Sequence, residues 1–269
     1  MKRADSGFAL ALAAALACAT GMAAMTHARA AAGATDPAAA ARPAPSRSEP
    51  AASPPRERTG TAETGTSQDY AEVIASYRDS AYQGDPRAQM ILGTLYANGQ
   101  GVRQDYVLAL SWFNRSAERG DASAQLNLGD MYASGRGVPR DYAEALRWYR
   151  KAADQGFVHA QNSLGLMYHE GRGVPQDDAE AVQWYRKAAE RDDVRAQVNL
   201  ASMYALGLGV ARDLVEAYKW YDVAASRYVT SDREGREIAA RERDIVAARM
   251  TPDQIGRARR LTREWRPQQ

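Results

Sequence analysis

The 36 residues from Ala88 to Ser123 return three more times without insertion or deletion, at 124–159, 160–195 and 196–231. A repeat this short cannot bury its own apolar face, so copies must stack side by side to make one continuous core. Read by column, Tyr96 becomes Tyr132, Tyr168 and Tyr204, and Trp112 becomes Trp148, Trp184 and Trp220. Gly99 and Gly101 recur as Gly135 and Gly137, Gly171 and Gly173, and Gly207 and Gly209. A partial copy at 69–87 keeps Ala81, Gly84 and Asp85 in step with Ala117, Gly120 and Asp121, and supplies a leading helix.

Inside one copy, Ala88, Leu92, Leu95 and Tyr96 fall at spacings of three and four, which marks a helix with one buried face. It is expected from about Pro86 to Asn98, with Asp85 as cap, Pro86 in the first turn and the glycine pair as its stop. A second helix starts after Asp105, Asp141, Asp177 and Asp213. Three residues on, Glu144, Glu180 and Glu216 are placed to complete reciprocal caps. Its stripe of Ala109, Trp112, Phe113, Ser116 and Ala117 alternates small and large side chains, so helix pairs can approach closely. Beyond the last copy, an arginine-rich helix from about Asp232 to Arg249 is expected. A capping box at Thr251-Pro252-Asp253-Gln254 then opens a helix reaching about Trp265. The fold class that follows is all-α: a right-handed α-solenoid of 36-residue helix-turn-helix units at 69–231, closed by C-terminal capping helices at 232–269.

The N-terminal residues differ in kind. Met1-Lys2-Arg3, the apolar run Phe8 to Cys18 and the small-residue pattern Ala28-Arg29-Ala30 predict a cleaved signal peptide over 1–30. Periplasmic or secreted localisation follows from it. No stretch of the chain is long enough for a span of about 20 apolar residues. Cys18 is the sole cysteine, which excludes a disulfide within the mature chain; a second reading lipidates the chain there, for envelope association. Residues 31–68 are Ala, Pro, Ser, Thr and Arg with almost no large apolar side chain, and are expected to form a disordered tether. Lysine is used only at 2, 151, 187 and 219, a codon bias pointing to a bacterial genome of high GC content. The 35 basic and 33 acidic residues alternate along the helices, and nucleic acid is therefore not an expected partner.

The runs LGDMYASGRGVPRDYAEALRWYRKAADQG (128–156) and LGLMYHEGRGVPQDDAEAVQWYRKAAERD (164–192) resemble the Sel-one-like repeat (SLR) family, relatives of tetratricopeptide repeats. The turn Gly-x-Gly-Val, the Trp-aromatic pair and the period occur together over about 160 residues. In the last copy Ala201 replaces the helix glycine, and Arg227-Tyr228 replaces the Gln-Gly ending. The resemblance implies a superhelical scaffold that binds proteins or peptides, with the mode of action but not the ligand in common. Cysteine-rich relatives linked to penicillin binding or hydrolysis carry cysteine pairs that this chain lacks, so that activity is not carried over.

Framework residues recur in every copy, whereas contacts to a partner belong in columns that vary. On the first helix those columns lie about 100° from the buried stripe. They read Arg87, Ser123, His159 and Arg195; Ile91, Asn127, Ser163 and Asn199; and Thr94, Asp130, Leu166 and Ser202. Asn127, Asp130, Asn199 and Ser202 would form a polar ladder on the concave face, able to hold an extended peptide. With Arg87, His159, Ser163 and Arg195 they are the candidate ligand-binding residues. The same columns read equally as a solvated face.

Catalytic, metal and cofactor sites are not expected. His159 and Ser163, one turn apart, could touch as base and nucleophile, but Glu170 lies roughly 16 Å along the axis from His159 and cannot orient it. His159 and His169 are ten residues apart and have no cysteine to join them. The Gly-x-Gly turns lack the lysine and strand of a phosphate loop. The tryptophans, recurring beside alanine, read as core. Two rivals to a non-catalytic scaffold remain at this stage: an envelope module binding glycan or peptide, and an envelope hydrolase.

Overall fold

A computed structural model describes residues 66–228 and 232–268. The signal-peptide reading, Cys18 and tether residues 31–65 lie outside them, and 66–68 open the first helix. Eleven helices and no strand make up the described residues: α1 (Thr66–Tyr82), α2 (Pro86–Asn98), α3 (Tyr106–Glu118), α4 (Ala122–Ser134), α5 (Tyr142–Asp154), α6 (Val158–Glu170), α7 (Asp178–Glu190), α8 (Val194–Leu206), α9 (Leu214–Arg227), α10 (Arg233–Ala247) and α11 (Pro252–Glu264). Each packs on its chain neighbour as far as α10, while α11 returns to pack on α9. The chain is an all-α solenoid of helix pairs, and none of its described helices is long and apolar enough to cross a membrane.

Local chemistry sets the helix ends. Asp105, Asp141, Asp177 and Asp213 sit in extended backbone and accept from first-turn N–H groups of α3, α5, α7 and α9. The reciprocal half of these caps does not form. Glu144 and Glu216 pair instead with Arg147 (2.5 Å) and Lys219 (2.9 Å), and Glu180 accepts from the Trp184 indole (2.9 Å), because a partner one turn on competes with the cap's own N–H. First helices end at Gly99, Gly135, Gly171 and Gly207 in the left-handed region.

The core forms between pairs. Leu92, Leu128, Leu164 and Leu200 are wholly enclosed, each worth about 1.5–3 kcal/mol relative to exposure. The four tryptophans are buried too, with a cation over each ring: Arg115, Lys151, Lys187 and Lys219 at 4.0–4.8 Å from the centroids. Ala201 is accommodated against its neighbours with no exposure. At the C-terminus Trp265 meets Trp220 edge-on at 5.7 Å, so α11 seals the last second helix.

Candidate functional site

The variable columns lie on the first helices α2, α4, α6 and α8. Arg195 of α8 acts through its charge on Asp130 of α4, although α6 and a whole copy stand between them. His159 of α6 feels both. Such reach places Asp130, His159 and Arg195 on one shared face of the array.

Asp130 is open to solvent on one side and yet crowded by its neighbours. The crowding raises its pKa by desolvating the charged form. The Tyr149 hydroxyl, donating to Oδ1 at 2.7 Å, and the charges of Arg195, Arg136 and His159 offset part of that. Burial and the Asp130 charge together push the Tyr149 phenol well above its ordinary range. His159 Nδ1 meets Asp193 Oδ2 at 2.7 Å, a bond that raises the imidazole pKa. Where Asp130 has its counterpart in Leu166, the matching Tyr185 hydroxyl is buried without a partner.

Not all of the eight candidate residues reach the surface. Arg87, Asp130, His159 and Arg195 are exposed, and Asn127 and Ser163 are half-buried. Asn199 and Ser202 are fully enclosed. The Asn199 amide turns into the α6–α8 contact and donates to Asn162 Oδ1 at 2.9 Å. Ser202 meets the Tyr221 hydroxyl at 2.7 Å, and Tyr221 in turn faces Glu242 of α10, so the terminal cap closes this end. The four-residue ladder is therefore reduced to Asn127 and Asp130.

Among the described residues no hydrogen bond joins His159 to Ser163, and the imidazole Nδ1 meets Asp193 Oδ2. His169 is part-buried, its Nδ1 held by Asp178 Oδ1 at 2.7 Å. Among the described residues no group of three or more side chains is placed to hold a metal.

One framework column escaped the sequence reading. Gln89, Gln125, Gln161 and Gln197 are buried, and each donates through Nε2 to an alanine carbonyl of the preceding second helix, at 2.9–3.3 Å. Their recurrence after alanine in every copy was the available signal.

The chain matches the Sel1 repeat family over residues 86–121, 122–157, 158–193 and 194–228, the same period framed two residues earlier. Among solved structures it is similar to c5321, a protective antigen present in uropathogenic Escherichia coli strains and displaying an SLR fold. Identity is 37%, coverage 72% of this chain and 40% of that one, and the TM-score 0.66. It is also similar to a Sel1 repeat protein from Oxalobacter formigenes, with 35% identity, 60% and 69% coverage and a TM-score of 0.53. The match thus spans less than half of the Escherichia coli protein. No curated protein matches at a significant level.

Proposed function

Because this chain belongs to the Sel1 repeat family, we propose that it is an exported, non-catalytic scaffold that holds a protein or peptide along the inner face of its first helices. Sel1 repeat proteins are generally protein-interaction scaffolds. One observation carries the proposal furthest. On a surface whose recurring side chains are all consumed by packing, Arg87, Asp130, His159 and Arg195 stand exposed in columns that change from copy to copy. That is how a repeat array encodes one partner on a common frame. Export is supported by the sequence of residues 1–30. The burial of the four repeat tryptophans favours this reading over glycan binding on an aromatic platform.

Photo-crosslinking in intact cells tests the reading. A photoreactive residue at Asn127 or Ser163 should trap a specific protein, while the same residue at the exposed positions Arg147 or Gln183 on second helices should not. Wall fragments alone, or the same species from both faces, would remove the scaffold reading.

A further inference from the structure

At the junction of the first two copies, α2, α3, α4 and the turns that follow the first helices enclose a cavity of about 280 Å³. Tyr106 is its half-buried ring, with Phe113 and Met131 enclosed behind; Asp130, Asn127 and Arg136 are among its polar groups. The cavity's chemistry is not a property of the repeat. Phe113 stands where later copies have Tyr149, Tyr185 and Tyr221, so no hydroxyl comes from that position. At the next junction Leu166 replaces Asp130, and Glu170 replaces Ser134 and pairs with Arg172 at 2.8 Å. At the last, Leu206 and Leu208 stand where the first has Ser134 and Arg136.

Within this cavity Asp130 is under-served. The one hydrogen bond to its carboxylate among the described residues comes from Tyr149. Arg136 lies over the Tyr106 ring, 5.8 Å from its centroid, and like Arg195 and His159 reaches the carboxylate through charge alone. A crowded carboxylate with spare acceptor capacity favours a donor that brings its own charge, and an apolar wall favours one on an alkyl stem.

Resting on the reading of the inner face as a peptide face, we propose that this cavity receives an arginine or lysine side chain of the bound partner, its methylenes against the Tyr106 ring and its cationic head donating to Asp130.

The test uses the full chain and two small probes, N-acetyl-arginine methylamide and its neutral citrulline isostere. Carboxylate carbon NMR follows Asp130. The arginine probe should shift the Asp130 signal saturably and lower its pKa, and the citrulline probe should bind about tenfold more weakly. Asp130→Asn retains an acceptor for Tyr149 and should abolish the difference between the probes. Equal binding of both probes, or arginine-induced shifts away from Asp130 and Tyr106, would overturn the proposal. The two readings fail separately. A partner crosslinked from Asn127 together with indiscriminate probes removes the basic-side-chain pocket alone; discriminating probes with no partner trapped remove the scaffold alone.

Discussion

Asp193 serves two copies at once. Its Oδ1 accepts from the Ala196 N–H at 2.8 Å and so caps α8, while its Oδ2 takes His159 from α6 at 2.7 Å. The helix that carries His159 lacks this kind of cap, because Phe157 stands where Asp85, Asp121 and Asp193 stand elsewhere; its ring meets His159 edge-on at 5.9 Å instead. The bond to Asp193 raises the His159 pKa in the folded state, with Asp193's charge acting the same way and desolvation opposing. A raised folded pKa means that the stabilisation is fully present below the unfolded value of about 6.5 and is lost as pH rises through the folded one. With the side chain 56% exposed, solvent screening holds the effect below about 1 kcal/mol. Titration of His159 by NMR should show the raised pKa. Asp193→Asn, which keeps a good cap, should return it towards 6.5, and an unmoved pKa in that variant would sink the assignment. Residue by residue, the sequence exposed what recurs and is apolar. It hid Gln125 and its equivalents, since a recurring polar residue gives no hydrophobic period and its carbonyl partner lies in the preceding helix. It also hid the enclosure of Asn199, which depends on a partner amide from another copy, Asn162.

Helices were the most legible scale, because their ends are set by local chemistry. α2 runs from Pro86 to Asn98 as the cap and glycine signals require. α11 carries the full capping box, with Thr251 Oγ1 accepting from the Gln254 N–H and the Gln254 side chain accepting from the Thr251 N–H. The glutamates of α5, α7 and α9 sit in the same register but find Arg147, Trp184 and Lys219 first, so a box read from spacing alone is an upper bound on what forms. This difference has a measurable consequence at the C-terminus. α11 has two acidic against four basic residues, and is held to the rest by Trp265 against Trp220, Arg259 donating to the Tyr218 hydroxyl and the enclosed Ala258. Thr251→Ala should therefore cost about 0.5–2 kcal/mol, most of it local to α11. Amide exchange in α11 should quicken while α5 and α6 keep their protection. Uniform loss of protection along the array would show instead that the cap and the repeats unfold as one.

Stacking is what makes the molecule larger than its parts, and its decisive contacts lie between copies. The pocket at Asp130 and the face shared by Asp130, His159 and Arg195 arise there, which is why neither could be read from one copy's sequence; curvature follows from small rotations at each junction. Gly173 shows how narrow a junction is. It holds φ +70°, and a Cβ at that position would lie 2.5 Å from the carbonyl carbon and oxygen of Tyr142, the first residue of α5 in the preceding copy. Neither obstacle can swing aside, since both belong to helix backbone. Gly173→Ala therefore adds left-handed strain to a backbone clash, and should cost about 1–3 kcal/mol or more. The cost falls on the contact between the second and third copies and not inside either, because Leu128 and Leu164 keep their own neighbours. In a linear array whose stability is a sum of unit and nearest-neighbour contributions, weakening one interface divides the cooperative unit. Urea unfolding followed by the tryptophans and by amide exchange should then lose its single transition. α1 to α5 and α6 to α11 should open at separate denaturant concentrations, where the parent chain opens at one. A variant that merely shifts the midpoint of a single transition would show that the copies are coupled through more than this turn, and that the array behaves as one globular core.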